Sequence, residues 1–242
     1  QNQLRRMAAI QNPLFYRNQA MGLSNYANAR YLYLGEDDGG FLCIPKGLLD
    51  GVLERCEEAD IPVKIEDQRA SGKPLNVAFT GELRDNQQLA VGAMLSHDCG
   101  ILSAATAFGK TVVCGKMIAE RKVSALILLE SSALIEQWQI ALERFLEFRE
   151  EPPEYETKSG RKKRRKSVIG IIHGPKDTST GIVDIAMAGS LCKKGAFHPR
   201  LREYGMVLVD ECHHSASDTL RCVLQEVHAR YVYGVTATPF RG

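Results

Sequence analysis

The chain has 242 residues, of which 44% are hydrophobic and 25% are charged, and its formal net charge is +2. These proportions are typical of a folded globular protein and exclude a wholly disordered, collagen-like or coiled-coil chain. The apolar runs, such as residues 125–129, are far shorter than the roughly 18 residues that cross a bilayer, so we expect no membrane partner.

The seven cysteines are scattered and never stand in a Cys-x-x-Cys spacing. A disulfide framework and a zinc ribbon are therefore both disfavoured, and we expect a reducing, intracellular location in the cytoplasm or nucleoid. The chain begins with Gln1 rather than Met, and residues 1–6 lack the apolar segment of a secretory signal. The sequence thus leaves open that the chain is a fragment of a longer protein.

Residues 1–82 are predicted to form a small α+β accessory domain. The predicted elements are a β-hairpin of residues 31–34 and 41–44, a helix over 46–59, and strands at 61–65 and 76–80. The hairpin prediction rests on a turn of Gly, Asp and Glu between two strand-like runs. Apolar residues at helical spacing predict the helix, and Pro62 follows its end. Together these elements would give a β-α-β arrangement.

From residue 83 onward, short apolar runs alternate with longer helical patterns. Strands are predicted at 100–103, 125–129, 168–172, 184–186, 206–209 and 231–235. Helices are predicted at 86–96, 110–121, 132–148 and 217–228. Apolar runs that alternate with helices are typical of a parallel sheet covered on both faces. Residues 83–242 are therefore predicted to form an α/β domain with a doubly wound, mainly parallel sheet.

Positive charge is concentrated in one segment. Lys158 and the run of residues 161–166 together contribute +7, so the remainder of the chain is net acidic. Two prolines before the run and a Ser-Gly pair within the segment are typical of a linker, and we predict a solvated, mobile loop. The alternative is contact with the phosphates of nucleic acid. The residues that would make this contact are Arg161, Lys162, Lys163, Arg164, Arg165 and Lys166.

Residues 104–111 are predicted to form a phosphate-binding loop between a strand and a helix. Such a loop needs backbone N–H groups at a helix N-terminus, a Lys that reaches the β- and γ-phosphates, and a hydroxyl for Mg²⁺. Gly109, Lys110 and Thr111 supply these types in that order. The general pattern has Gly where Ala104 stands, so on these residues alone a chance Gly-Lys-Thr is the alternative.

Two carboxylates, Asp210 and Glu211, follow the strand predicted at 206–209. In nucleotide hydrolysis one carboxylate at a strand end holds Mg²⁺ while its neighbour orients and deprotonates the attacking water. Asp210 fits the first role and Glu211 the second, whereas the alternative is a solvated turn. The phosphate loop upstream favours the catalytic interpretation.

With these motifs, residues 83–242 resemble the first RecA-like motor lobe of superfamily 2 helicases of the DEAD/DEAH type. Asp-Glu-Cys-His at 210–213 looks like the signature box of that family. Residues 104–111 are similar to its phosphate loop, in which Ala at the first position is common. Thr-Ala-Thr-Pro at 236–239 and Leu-Arg-Asp-Asn-Gln at 83–87 are similar to two further family elements. All four occur in the family's order.

The resemblance implies ATP and Mg²⁺ as cofactors and assigns roles to individual residues. Adenine recognition falls to Gln87, with Arg84 nearby, and coupling of nucleotide state to nucleic acid falls to His213, Thr236 and Thr238. Catalysis is assigned to Lys110, Asp210 and Glu211, and Mg²⁺ binding to Thr111 and Asp210. The remaining nucleotide contacts are assigned to Thr106, Ala107, Phe108 and Gly109.

The chain departs from the family in the loop and in the segments expected to bind nucleic acid. Ala107 stands where Gly is usual, which stiffens the loop, and Phe108 is bulkier than the usual residue. A basic residue common after the strand at 125–129 is absent, and Glu130 would repel phosphate. Met187 and Gly189 stand where a Thr and a Gln are frequent. Backbone amides and the hydroxyls of Ser131, Ser132 and Ser190 are expected to serve instead.

Trp138 is interpreted as a core residue. It lies at helical spacing from Leu134, Leu142 and Phe145, which predicts one apolar face. The alternative is a platform on which a base stacks.

Residues 1–82 are similar, through the segments 44–49 and 61–65, to a small domain that precedes the motor in some superfamily 2 enzymes. These are the enzymes of excision repair, phage branch migration and restriction-like conflict systems. The resemblance implies contact with DNA, whereas the alternative is a packing accessory. The leading hypothesis is that the chain is the motor lobe of an ATP-dependent DNA helicase or translocase, and RNA is the alternative nucleic acid. The competing hypotheses are a nucleic-acid-binding scaffold with a vestigial ATP site and a phosphate-loop ATPase without nucleic acid.

Family members carry a second RecA-like lobe after the Thr-Ala-Thr element, with arginines that complete the ATP site. The chain stops at Gly242, so we expect that lobe of the full-length chain to be a partner. An arginine finger is worth on the order of 10³–10⁵ in rate. This chain is therefore expected to bind ATP and Mg²⁺ but to hydrolyse ATP slowly.

Overall fold

The computed structural model describes residues 2–157, 160–193, 195–214 and 218–238. The chain divides into two compact units, Gln1–Glu66 and Asp67–Gly242. Within the described part, every helix is too short or too polar to span a membrane. The larger unit carries the predicted phosphate loop and the two carboxylates, so it positions the candidate site.

The first unit is built from short elements. Its helices are α1 (Asn2–Met7), α2 (Pro13–Ala20) and α3 (Leu49–Glu58). Its strands are β1 (Ala9–Gln11), β2 (Tyr31–Tyr33), β3 (Glu36–Asp38) and β4 (Phe41–Cys43). They form two antiparallel pairs, β1 with β2 and β3 with β4. The 3₁₀ turn Lys46–Leu48 and α3 after it confirm the helix predicted over 46–59.

The hairpin predicted from residues 31–34 and 41–44 is wrong in its pairing. β4 folds back on β3 instead, through a tight turn in which Gly39 and Gly40 both have positive φ angles. The first run, β2, pairs with β1, a strand that the sequence analysis did not predict. The pairing thus follows the short glycine turn rather than the most apolar runs.

The strand predicted at residues 61–65 is also wrong, because these residues have no strand partner in the described structure. Pro62 has no N–H to donate to a ladder, and Ile61, Val63 and Ile65 are all exposed. The β-α-β arrangement expected for this unit is therefore not formed by these segments.

The second unit contains the elements from β5 to β17. Its strands are β5 (Val77–Phe79), β6 (Cys99–Ser103), β7 (Ala125–Leu129), β8 (Leu146–Phe148), β9 (Glu154–Glu156), β10 (Lys162–Arg164), β11 (Ile169–His173), β12 (Lys176–Asp177), β13 (Val183–Met187), β14 (Cys192–Lys193), β15 (Ala196–Phe197), β16 (Met206–Asp210) and β17 (Tyr231–Thr236). Its helices are α4 (Asp85–Leu95), α5 (Lys110–Arg121), α6 (Ala133–Phe145), α7 (Ala188–Leu191) and α8 (Asp218–Gln225), with 3₁₀ turns at Pro199–Arg202 and Cys212–His214.

Seven of these strands form one sheet in the order β12-β11-β13-β7-β16-β17-β6. Neighbours are parallel except for β12, which runs antiparallel to β11. Strand β7 shows why both faces are covered: Ile127 packs in one apolar cluster, whereas Leu126 and Leu128 pack in the other. The six predicted strands and the doubly wound, mainly parallel α/β sheet are confirmed.

Residues 67–82 lie in the larger unit of the structure. The strand predicted at 76–80 forms as β5, but it pairs antiparallel with β8 rather than with a strand of the first unit. Strand β8 takes the last residues of the helix predicted over 132–148, and α6 ends at Phe145. The functional domain boundary at residue 82 stays a prediction.

The basic segment is not the structureless loop predicted from its composition, because β9 and β10 pair as an antiparallel hairpin. Opposite charges face each other across it, with Lys162 opposite Glu156 and Arg164 opposite Glu154. Such cross-strand pairs stabilise a hairpin, a contribution that composition alone does not reveal. Residues 158 and 159, which include the predicted Lys158, lie outside the described residues.

Candidate nucleotide-binding site

The predicted motifs meet at the carboxyl edge of the seven-stranded sheet. Strand β17 lies between β6 and β16, with Thr236 opposite Ser103 and Val235 opposite Asp210. The phosphate loop follows β6, the two carboxylates end β16, and Thr236 ends β17. In open α/β sheets ligands bind at this edge, outside the carboxyl ends of the strands.

The phosphate loop ends at the N-terminus of α5. Gly109 has a φ angle of +88°, and a Cβ there would lie 2.5 Å from Gln87 Nε2, so the position requires glycine. Helix α5 begins at Lys110, and the first N–H groups of a helix have no intrahelical partner, which favours an anion. Lys110 Nζ donates to the carbonyl of Ala104 at 3.3 Å, so the ammonium group lies at the loop.

Ala107 also has a left-handed backbone, with a φ angle of +67°. An L-residue with a Cβ in this conformation costs roughly 1–2 kcal/mol relative to glycine. The structure thus gives a physical reason for the glycine that is usual at this place in similar loops.

Arg84 and Gln87 hold the loop from the start of α4. The Gln87 side chain is 3% exposed; its Oε1 accepts the N–H of Arg84 at 3.0 Å and its Nε2 donates to the carbonyl of Phe108 at 2.7 Å. The Arg84 guanidinium donates to the same carbonyl. These side chains therefore fix the loop, and their predicted recognition of adenine stays a prediction.

Asp210 is 9% exposed at the end of β16. Its Oδ1 accepts the N–H of Glu211 at 2.9 Å, and its Oδ2 accepts the indole Nε1–H of Trp138 at 2.8 Å. Burial raises the pKa of the Asp210 carboxyl above its ordinary value, against these two hydrogen bonds, which lower it. A cation bound here would favour the ionised carboxylate.

Glu211, His213 and Thr236 form one hydrogen-bonded group. The Thr236 hydroxyl is 2.8 Å from His213 Nδ1, 3.3 Å from Glu211 Oε2 and accepts the N–H of Thr238 at 3.1 Å. His213 Nδ1 is itself 3.3 Å from Glu211 Oε2. The predicted water-activating carboxylate and the three predicted coupling residues are thus brought together. Pro239, the last residue of that motif, lies outside the described residues.

Gly234 on β17 allows this group to form. A Cβ at Gly234 would lie 2.7 Å from Cys212 Sγ, so the 3₁₀ turn after Glu211 could not pack as closely against β17 with any larger residue. Burial raises the pKa of the Cys212 thiol, which therefore stays protonated and serves in packing.

The residues present fit ATP and Mg²⁺. The hydroxyl of Thr111 and the carboxylate of Asp210 are oxygen ligands of the kind that Mg²⁺ prefers. Lys110 and the N–H groups at the start of α5 are donors suited to phosphate oxygens.

Comparison with known proteins places the chain in a family. Residues 80–241 match the family described as type III restriction enzyme, res subunit. The chain belongs to this family. The DNA 3'-5' translocase XPB2 of Sulfurisphaera tokodaii is 32% identical over 164 residues, which are 66% of this chain and 31% of that protein. The protein 109L of Invertebrate iridescent virus 3, named as a helicase, is 27% identical over 197 residues, which are 77% of this chain and 55% of that protein.

The chain spans between about a third and about half of the length of these two relatives. Among solved structures, the UvsW helicase of bacteriophage T4 matches with a TM-score of 0.61 at 15% identity, over 98% of this chain and 85% of that chain. At this identity the likeness concerns the fold. The resemblance to the first motor lobe of superfamily 2 helicases, based on four short motifs, is confirmed.

The side chains of this chain that are predicted to bind nucleic acid differ in their exposure to solvent. Ser131 and Ser132 are exposed between β7 and α6, at the carboxyl edge of the sheet. Ser190 is buried, and its Oγ accepts the N–H of Gly174 at 2.8 Å, so this hydroxyl is used within the protein. The basic residues 161–166 are exposed on the hairpin except for Arg165, which is half-buried. Nucleic-acid contact by all of these residues stays a prediction.

Trp138 has a contact that the sequence analysis missed. Its predicted place in the core is confirmed, because it is 1% exposed, but its indole N–H is bonded to Asp210. A buried indole N–H needs an acceptor, so a tryptophan predicted in the core already indicates that a polar partner lies nearby. The acceptor could not be named from the sequence, because the contact depends on β7 and β16 being neighbours.

Proposed function

We propose that this chain is the ATP-binding motor lobe of an ATP-dependent DNA helicase or translocase. The observation that carries the proposal is the junction at the ends of β6, β16 and β17, which brings Lys110, Asp210 and Thr236 to one edge. Coupling ATP hydrolysis to movement requires a phosphate loop, a metal-binding carboxylate and a link between the carboxylates and the rest of the lobe. The proposal is supported by the loop at 104–111, the Asp210 carboxylate and the hydrogen bond from Thr236 to Glu211, which lie at this edge.

In this proposal Lys110 and the backbone N–H groups of residues 106, 107 and 109–111 bind the β- and γ-phosphates, whereas the N–H of Phe108 donates to the carbonyl of Ala105 at 3.1 Å. Thr111 and Asp210 hold Mg²⁺, which when bound neutralises charge on the phosphate oxygens. Gln87 and Arg84 keep the loop in shape before ATP arrives, through their bonds to the Phe108 carbonyl. A site arranged in advance spends little free energy on reorganisation during the reaction.

Glu211 orients the attacking water and accepts its proton. Its own φ angle of +46° lies in the left-handed region, and strain of this kind is typical of functional sites. One carboxylate oxygen, Oε2, is held by Thr236 and His213. The other oxygen is then the one that receives the proton.

His213, Thr236 and Thr238 transmit the state of the site to the end of β17. Because the Thr236 hydroxyl contacts both Glu211 and the backbone of Thr238, a change at the carboxylate alters hydrogen bonding at the strand end. Thr238 is the last residue that the structure describes.

DNA is the proposed nucleic acid, because the relative XPB2 is named as a DNA translocase. The exposed Ser131 and Ser132 and the basic hairpin are the proposed contacts. A second RecA-like lobe is the proposed partner that supplies arginines to the ATP site, so this lobe alone hydrolyses ATP slowly. The proposed location is where DNA is found, in the cytoplasm or nucleoid.

A second candidate function is a nucleic-acid-binding scaffold with a weak ATP site. The observation that favours it is Ala107, whose left-handed backbone strains the phosphate loop. The two candidates differ in ATP affinity.

The experiment is an equilibrium titration of this chain with a fluorescent ATP analogue and Mg²⁺, beside Lys110→Ala and Lys116→Ala. Lys116 lies on the same helix, where it pairs with Glu120 away from the loop. We expect binding by the parent and by Lys116→Ala, and at least about tenfold weaker binding by Lys110→Ala because a charge-assisted contact is lost. No binding by the parent would reject the motor-lobe proposal for this chain and favour the scaffold.

A further inference from the structure

We infer that Trp138 is a positioning residue for Asp210, the carboxylate proposed to hold Mg²⁺; the inference rests on the proposed function. The contact is direct, with 2.8 Å between the indole Nε1 and Asp210 Oδ2. Both side chains are buried, so water does not compete strongly for either group. Trp138 belongs to α6 and Asp210 to the end of β16, so the bond joins two separate elements.

Two donors together set the plane of the Asp210 carboxylate. The N–H of Glu211 holds Oδ1 and the indole N–H of Trp138 holds Oδ2. A carboxylate has about four lone-pair sites, so each oxygen keeps one for a metal ion or its bound water. With either donor removed, the group can turn about its Cβ–Cγ bond and present its oxygens in other directions. Partners of this kind orient the ligands of metal ions.

Packing alone does not explain why a tryptophan, with its indole N–H, stands at position 138. The neighbouring buried positions of α6, Ile135 and Leu142, are aliphatic and make no hydrogen bond through their side chains. An apolar aromatic ring would fill the same volume without a donor. The donor is instead aimed at an ionisable group, which makes the bond charge-assisted and shorter than an ordinary one.

The first experiment measures the Mg²⁺ concentration that gives half-maximal binding of a fluorescent ATP analogue. Trp138→Phe keeps an aromatic ring and removes the N–H. Leu142→Val is the matched control, since Leu142 is as buried, lies one turn further along α6 and has no polar group. We expect Trp138→Phe to need about tenfold more Mg²⁺, and Leu142→Val to stay within about twofold of the parent, because its change is confined to packing.

The second experiment leaves the Trp138 side chain intact and observes its indole N–H directly. Trp138 is the only tryptophan of the chain, and its indole N–H gives a single side-chain resonance in a ¹H–¹⁵N spectrum. We expect this resonance to move when Mg²⁺ and ATP are added to the parent, and to lie elsewhere in Asp210→Asn without any ligand. An indole resonance that is identical in the two proteins and unmoved by saturating Mg²⁺ and ATP would overturn the inference.

The two proposals fail in different ways. A parent chain that does not bind ATP with Mg²⁺ would overturn both. A parent that binds, together with Trp138→Phe that binds with the same Mg²⁺ dependence, would overturn the role of Trp138 and leave the motor-lobe proposal standing.

Discussion

The carboxyl edge of the sheet and the β9–β10 hairpin hold their charged groups in different ways. At the edge, Asp210 is buried and accepts two hydrogen bonds, and Glu211 contacts Thr236. On the hairpin, Lys162 and Lys163 are exposed. Buried and bonded groups keep their geometry before a ligand arrives, whereas exposed charges rearrange freely and are screened by salt. In the proposed function, the groups at the nucleotide site are therefore preorganised, whereas the proposed contacts with nucleic acid on the hairpin are adaptable.

Replacing Gly109 by alanine should disturb the preorganised region most. The new Cβ would lie 2.5 Å from Gln87 Nε2, and alanine in a left-handed conformation adds about 1–2 kcal/mol of strain. We expect the free energy of unfolding to fall by about 2 kcal/mol or more, the range of a clash plus backbone strain, and ATP affinity to fall with it. Urea unfolding and nucleotide titration measure both effects.

Gly92→Ala is the control for this substitution. Gly92 lies within α4 and has open space around the position of a Cβ. Alanine there should stabilise the protein by about 0.5–1 kcal/mol, because glycine is costly within a helix. If Gly109→Ala is as stable as Gly92→Ala, the loop is not held by Gln87 as described.

Thr236→Val should separate stability from coupling. Thr236 is 1% exposed, and without its hydroxyl the N–H of Thr238 and the ring of His213 lose a partner. A typical intramolecular hydrogen bond contributes about 0.5–1.5 kcal/mol, so we expect the free energy of unfolding to fall by at least about that amount. We also expect stimulation of ATP hydrolysis by DNA to be lost.

Both effects of Thr236→Val are read from unfolding curves and from hydrolysis rates with and without DNA. The exposed Thr80 provides the control, since Thr80→Val should change stability by no more than about 0.5 kcal/mol. DNA stimulation that survives in Thr236→Val would show that Thr236 does not couple the two sites.

Ala107→Gly should stabilise the protein, in contrast to Gly109→Ala and Thr236→Val. Glycine removes about 1–2 kcal/mol of left-handed strain but adds about 0.4–1 kcal/mol of unfolded-state entropy. The expected net effect is a stabilisation of roughly 0.5–1 kcal/mol, with ATP binding retained or tighter. Thermal unfolding measures it, and a destabilised variant would mean that the strain at Ala107 is absent.

The smallest effect on stability is expected from replacing Lys162 and Lys163 by alanine together. Both are exposed, so the free energy of unfolding should change by no more than about 0.5 kcal/mol. If both lysines contact phosphates, the plot of log affinity for DNA against log salt concentration should become less steep, with the magnitude of its slope smaller by about 2. An unchanged slope would mean that the hairpin is only a solvated feature of the surface.

The central strands of the larger unit could be predicted because they are buried on both faces, as β7 and β16 are. A five-residue apolar run such as residues 125–129 is typical of a strand in the middle of a parallel sheet, where both faces are covered. The first unit offered no such signal. Strand β1 has only three residues, and its partner is β2, which the sequence analysis had paired with β4. Strand β4 pairs with β3 instead, because the turn between them contains two glycines with positive φ angles.

The candidate site divides in the same way. Lys110, Asp210 and Glu211 belong to local motifs, so their residue types and spacing were enough to propose their roles. The bond from Trp138 to Asp210 joins residues 72 positions apart and exists because α6 follows β7, the neighbour of β16. Contacts of that kind depend on strand order, which hydrophobic pattern does not specify.

The motor-lobe proposal is tested most directly by single-turnover ATP hydrolysis with protein in excess, comparing the parent chain with Glu211→Gln. Excess protein makes even slow hydrolysis measurable. We expect both proteins to bind ATP with Mg²⁺ and the variant to hydrolyse it at least about 100-fold more slowly, because a general base typically contributes that much or more. Equal rates in the two proteins would contradict the assignment of Glu211, and with it the proposal that this edge of the sheet hydrolyses ATP.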